Sequence, residues 1–294
     1  MLQLAPHRLL GALAENVAKT IGLTAIAKRA LRRGECGGVR WVDQSLESNV
    51  RHVRHIASLV ESHVNVRNRV GAEIGPGDNL GASYCLLKAG ASKIYAVEKF
   101  GSVAADAHCE RLFMAIDAEV AGNVTASEVL QRGESWLRFN RAQLQHAHCL
   151  FEDFSPDEPI DFIYSHDVIE HVNPRSVFLH ASEILTAGGD FLNVIDLTGH
   201  GVFYDLKRPL DFLTCPDWLW PMLFSAMETT NRVRWSELLQ LAEDTGFQII
   251  HAKPIRRADP NYLASIRPHL LPRYQALTDD DLSVMQCVLH LRKL

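Results

Sequence analysis

Along residues 46–64, LESNVRHVRHIASLVESHV, the apolar positions Val50, Val53, Ile56, Leu59, Val60 and Val64 recur at intervals of three and four. That is the spacing of one face of a helix. Residues 8–33 carry leucine, alanine and isoleucine at similar spacing with lysine and arginine between them, which predicts one or two further amphipathic helices. Beyond residue 66 the pattern changes. Short β-rich apolar runs come at 69–75 (RVGAEIG), 92–98 (SKIYAVE), 147–152 (AHCLFE), 160–166 (IDFIYSH) and 189–196 (GDFLNVID), alternating with helical stretches at 79–90, 101–121 and 173–187. A helix at 234–246, a strand at 247–252 and a last strand at 283–292 close the chain.

Strands alternating with helices predict an α/β fold with a doubly wound, mostly parallel sheet covered on both faces. The near-continuous apolar character of the runs suits strands buried on both sides. Between 197 and 233 the periodicity fails, and Phe203, Tyr204, Phe212, Trp218, Trp220 and Phe224 gather among Pro209, Pro216 and Pro221. This reads as an inserted lid or binding loop. The expected organisation is an N-terminal helical region at 1–66, then one domain at 67–294 carrying the lid at about 197–233.

Composition narrows the classes. Of the 294 residues 47% are hydrophobic and 22% charged, and the net charge is −5, which gives no global field for nucleic acid or an anionic membrane. A basic stripe, AKRALRR at 27–33, reads as a solvated helix face or a partner contact. The six cysteines form no CxxC pair, no zinc spacing and no disulfide framework, which suits a reducing compartment. The N-terminus lacks an apolar stretch of secretory type, and no run approaches the ~18 apolar residues of a membrane span. The expectation is a cytoplasmic protein without nucleic-acid or membrane partners. The N-terminal helices leave a homodimer open.

The chemistry starts at VGAEIGPGDNLG, residues 70–81. Gly75-Pro76-Gly77 would turn the chain at the end of the first strand, where glycine lets the backbone approach a ligand. A dinucleotide fingerprint wants a third glycine where Leu80 stands, and Glu73 would face a diphosphate with like charge. Both details argue against a nicotinamide- or flavin-dependent oxidoreductase. They fit a cationic ligand such as S-adenosylmethionine, with its ammonium and sulfonium. Glu98, 21 residues after Gly77, ends the second strand and suits both hydroxyls of a ribose. Asp153 follows the third run and suits an adenine amino group. Each carboxylate alone reads as a surface or capping residue; three at successive strand ends read as a site.

The segments EIGPG, YAVEK, FEDF, DFIYSHDVIEHV and ILTAGGDFLNVID resemble class I S-adenosylmethionine-dependent methyltransferases over about residues 68–252. The closing segments DFLTCPDWLW, NRVRWSELLQLAEDTGF and TDDDLSVMQCVLHLRK resemble bacterial methyltransferases linked to saccharide or polysaccharide assembly. The resemblance implies a Rossmann-like methyltransferase fold. It also implies that Glu73, Gly75 and Gly77 hold the methionine end of the cofactor, Glu98 the ribose, Asp153 with Phe154 the adenine, and Ser165 and His166 the wall beside the sulfonium. The glycine turn departs from the commonest form in having Asn79 where a third glycine often sits.

Transfer of a methyl group to a hydroxyl of a small molecule or glycan is an in-line displacement, and such an acceptor must lose a proton. At the end of the fourth strand, Asp167 and His171 would share a face if the following turn is helical. At the end of the fifth, Asp196 and His200 leave the sheet at the same rim. His171 or His200 is the expected base, oriented by Asp167 or Asp196. The bland readings are that Glu170 and His171 open the next helix and that Asp196 bonds local amides. Carboxylate and imidazole also suit Mg²⁺, Mn²⁺ or Zn²⁺, without a defined ligand set. Arg232 and Arg234 suit an acidic acceptor or the carbonyls of the lid. A catalytically silent cofactor-binding scaffold is the reading of another class.

Overall fold

The periodic residues 46–64 form α1 (Leu46–His63), entered through Ser45, whose Oγ accepts the Ser48 N–H at 3.2 Å. Val50, Val53, Ile56, Ala57 and Val60 of this helix are buried, each larger side chain contributing about 1.5–3 kcal/mol. The structure, a computed structural model, describes residues 10–11, 13–14, 44–99, 105–133, 136–223 and 230–294. The basic stripe at 27–33, Cys36, Phe224 and nearly all of the helical region at 8–33 lie outside the described residues. The five described cysteines are free. No helix among the described residues is long and apolar enough to cross a membrane.

Among the described residues, two short strands, Leu130–Arg132 and Leu137–Phe139, form a separate antiparallel pair. Seven further described strands follow α1: β1 (Val70–Ile74), β2 (Lys93–Val97), β3 (Leu144–Ala147), β4 (Ile160–His166), β5 (Leu185–Asp196), β6 (Phe247–Arg257) and β7 (Val284–Lys293). They make one sheet in the order β3-β2-β1-β4-β5-β7-β6. The first five run parallel, and β7 lies antiparallel to β5 and to β6. Helices α2 (Gly81–Lys88) and α3 (Ala107–Glu119) join α1 over one face, and α4 (Pro174–Ile184) and α5 (Trp235–Asp244) cover the other. α1 therefore shares a core with the sheet. The strand order reverses between β1 and β4, and sheets of this kind take ligands outside the carboxyl ends of the strands at such a point.

Two expectations about local structure are corrected. The third strand lies at Leu144–Ala147, not at 147–152. It is the edge of the sheet, with only its first residue buried, so it needs no long apolar run. The run after it folds instead into a 3₁₀ turn, Phe151–Asp153, that seals Phe151 and Phe154 into the core. The segment after β4 is likewise a short 3₁₀ turn, Ile169–His171, rather than the start of a helix. Asp167 precedes it in the left-handed region, φ 54°, so Asp167 and His171 do not share a helix face.

The described part of the aromatic insertion packs into a third core. Phe203, Leu210, Phe212, Leu219 and Leu223 meet Leu263, Ile266, Leu270 and Tyr274, which follow β6. Trp220 lies 5.8 Å from Phe203 and 6.1 Å from Phe212 between ring centroids, whereas Trp218 is 71% exposed.

Candidate functional site

The candidate site begins where β1 ends. Gly75 and Gly77 both take positive φ, 66° and 74°, which side-chain-bearing residues rarely adopt. A Cβ on Gly75 would also come within 2.7 Å of Val168, while one on Gly77 would meet no atom of the described residues within 4 Å. Among the described residues, none fills the space over Gly77, which suits a ligand. Its N–H donates to Glu98 Oε2 at 3.1 Å, so the buried carboxylate at the end of β2 meets the glycine turn. Asn79 Oδ1 accepts the Gly81 N–H at 3.0 Å as α2 begins. Gly81, one residue late for a dinucleotide fingerprint, serves packing: a Cβ there would sit 2.7 Å from Val53 of α1.

Glu73 is 6% exposed and points to the α2 side. It accepts the Ser83 hydroxyl, which lies 3.4 Å from the Tyr164 hydroxyl. Burial pushes the Glu73 carboxyl up to about 7, although hydrogen bonds from Ser83 and Tyr164 and the field of His166 work against the rise.

β4 delivers the other wall. Ser165 pairs in register with Ile74 of β1, and its buried hydroxyl donates to Asn193 Oδ1 on β5 at 2.7 Å. His166 sits 3.2 Å from Asp167 Oδ2 through Nδ1 and packs edge-on against His52 of α1, centroids 5.9 Å apart. Burial first and His166 second pull His52 down to about 4, keeping it neutral. Sequence reasoning missed His52 because its partner lies more than a hundred positions along the chain; a histidine on the helix that packs over α2 was the only signal. Asp167 leaves β4 with its N–H donating to Val194 O at 2.9 Å. Burial raises its pKa, but the His166 hydrogen bond, the fields of His166 and His200, and Gln286 together hold it below the usual carboxylate range.

At the same rim, His171 and His200 meet edge to face with centroids 4.7 Å apart. His200 Nε2 lies 4.0 Å from Asp196 Oδ2, and Arg256 approaches both Asp196 oxygens at 3.4 Å. Burial and the nearby His171 lower the His200 pKa against the opposing fields of Asp196 and Asp167. Glu170 is 1% exposed, with neither carboxyl oxygen in a hydrogen bond among the described residues. Burial, with the fields of Asp167 and Asp196, pushes its carboxyl well above the ordinary range. Asn231 pins this turn, donating from its backbone to Glu170 O at 2.6 Å and from its amide to Ile169 O at 2.6 Å and Val172 O at 3.0 Å.

Parallel pairing of β4 with β5 thus brings Asp167, His171, Asp196 and His200 together. Glu73, Gly75, Gly77 and Glu98 gather at the switch point. Asp153 lies on the exposed side of its 3₁₀ turn, and Phe154 is buried against Tyr95 at 5.4 Å. The two arginines are occupied elsewhere. Arg234 is fully buried and donates to the carbonyls of Leu197, Leu282 and Val284. Arg232 donates to Cys215 O at 2.7 Å and to Asp217, and lies over Trp220.

Five parallel strands followed by an antiparallel pair make this a Rossmann-like sheet. No protein-family model matches the chain, and no curated protein matches it. Among solved structures it is similar to an S-adenosylmethionine-dependent methyltransferase from Mesorhizobium loti: identity 13%, TM-score 0.43, covering 86% of this chain and 100% of that one. It is also similar to geranyl diphosphate C-methyltransferase from Streptomyces coelicolor A3(2), solved with Mg²⁺, geranyl diphosphate and S-adenosyl-L-homocysteine: identity 12%, TM-score 0.49, covering 86% and 85%. At these identities and overlaps, the residues at the switch point carry the functional reading.

Proposed function

We propose that the protein transfers a methyl group from S-adenosylmethionine to a hydroxyl of a small molecule or glycan. The observation that carries this is the pair of buried carboxylates, Glu73 and Glu98, on either side of an open glycine turn at the switch point. A pyrophosphate there would meet two like charges. The N-terminus of α2, where a dinucleotide would place its phosphates, is closed by Asn79 on the Gly81 N–H and by Val53 over Gly81. A sulfonium with an ammonium and a ribose diol has the opposite needs. Glu73 faces the methionine end, and Glu98 accepts the ribose hydroxyls while steadying the Gly77 amide. Ser165 and His166 line the wall beside the methyl group, and Asp153 in its exposed turn is available to the adenine amino group. Phe154 supports that turn from beneath.

The protein mainly aligns donor and acceptor, which supplies about 7–11 kcal/mol of such a barrier. The proton of the hydroxyl falls to the rim group of Asp167, His171, Asp196 and His200. The described part of the aromatic insertion, a separate small core beside this rim, supports the reading of a cap over the acceptor.

Calorimetric titration with S-adenosylmethionine and S-adenosylhomocysteine tests the cofactor. Micromolar binding is expected. Glu98→Ala should weaken it roughly 10- to 100-fold, the equivalent of one or two hydrogen bonds to a charged group. A folded wild type that binds neither compound would overturn the assignment. Binding without turnover across hydroxyl, amine and carbon acceptors would favour a silent scaffold.

A further inference from the structure

Three side chains at the acceptor rim converge in a way that proton transfer alone does not require. Glu170, His171 and His200 each offer one ligand atom, and these atoms lie within 4.8 Å of one another. Among the described residues, Glu170 is buried to 1% exposure with neither carboxyl oxygen in a hydrogen bond, and His200 Nε2 has no hydrogen-bond partner, its contact with Asp196 being 4.0 Å. We propose that Glu170, His171 and His200 form a binding site for a divalent transition-metal ion beside the methyl acceptor.

The chemistry of the donors supports the assignment. A carboxyl in a dry interior is neutralised by a proton or by a cation; the backbone groups of Glu170 and Asp196 favour its ionised form, while the charged neighbours that act on it, Asp167 and Asp196, share its sign. Two imidazoles and one carboxylate select Mn²⁺, Fe²⁺ or Zn²⁺ over Mg²⁺, which prefers oxygen and water. Ligand atoms about 2.0–2.2 Å from an ion lie roughly 3.0–3.5 Å from one another, so the site closes by small side-chain rotations. The supports are in place as well. Asn231 fixes the turn that carries two of the ligands through three hydrogen bonds, and Asp196 stands beside the His200 ring. Three protein ligands leave coordination positions open.

The binding site stands on these side chains; its catalytic part rests on the methyl-transfer reading. An acceptor hydroxyl at an open position has its pKa lowered. Its proton passes to Asp167 or Asp196, and the oxygen attacks the methyl carbon. The carbon–sulfur bond breaks with its electron pair going to sulfur, leaving the neutral thioether. The histidines then hold the ion and the aspartates receive the proton.

The test uses the full chain stripped with EDTA and titrated with MnCl₂, binding being read by the paramagnetic resonance of free Mn²⁺. S-adenosylmethionine affinity is measured on the same samples. One Mn²⁺ per chain at micromolar affinity is expected, weakened at least tenfold in Glu170→Gln, His171→Ala and His200→Ala, with cofactor affinity within threefold of wild type. Retained cofactor binding shows that a variant is folded and separates failure of the metal site from failure of the cofactor reading. Glu170→Gln is nearly isosteric and should melt no lower than the metal-free wild type, while losing the rise in melting temperature that Mn²⁺ gives the wild type. A folded wild type that binds no stoichiometric Mn²⁺, variants that bind it equally well, or displacement by equimolar Mg²⁺ would each overturn the proposal.

Discussion

Glu73 carries a prediction with two opposite signs. Its carboxyl rises from 4.5 to about 7 because it is buried. The free folded protein therefore binds this proton more tightly than the unfolded chain, and its stability must fall as pH rises from about 4.5 to 7 and then level off. A shift of about 2.5 units corresponds to about 3 kcal/mol. Glu73→Gln removes that loss while keeping an acceptor for the Ser83 hydroxyl. At pH 8 the variant should be more stable by about 2–3 kcal/mol, or about 3–5 °C in melting temperature for a chain of this size, with no difference at pH 4.5. Cofactor binding should move the other way. The ammonium of S-adenosylmethionine needs the ionised carboxylate, so wild-type affinity should fall nearly tenfold per pH unit below about 6.5. Binding at pH 6 should release close to one proton, measured by calorimetry in two buffers of different ionisation enthalpy. Glu73→Gln should bind at least tenfold more weakly at pH 8 and show no such slope. A wild type with flat affinity and no proton release between pH 5.5 and 7 would refute this account of Glu73, as would a variant that binds like wild type at pH 8.

Two further predictions concern what holds the site in place. Gly81→Ala should destabilise by about 1–3 kcal/mol in urea melts, because its methyl would press on Val53; Val53→Ala in the same chain should recover part of the loss, and strict additivity would show that the contact is not the cause. Burial pulls the Arg234 pKa down to about 10, still cationic at neutral pH, and its removal orphans three carbonyls. Arg234→Met keeps the volume and should lose about 3–5 kcal/mol; a loss below about 1 kcal/mol would mean that water replaces the donors.

What the sequence by itself determined was whatever depends on near neighbours. The spacing of Val50, Val53, Ile56 and Val60 made α1 legible, because a helix repeats its buried face every three to four residues. The turn at Gly75 and Gly77 was legible because left-handed backbone asks for glycine, and Glu98 because the parallel β1–β2 pair returns the chain to the same rim at a typical distance in sequence. Tertiary structure decided the rest. An apolar run at 147–152 serves equally as a strand or as a sealed turn, and the strand went to 144–147 because the edge of a sheet pairs on one side only. Glu170 looked like a helix-capping acid, while the fold buries it near His171 and His200 with no hydrogen bond to its carboxyl among the described residues. The meeting of His171 with His200, and of His52 with His166, follows from which strands lie side by side and which helix packs over them. Such contacts are set by the packing of the whole chain, and no local period records them.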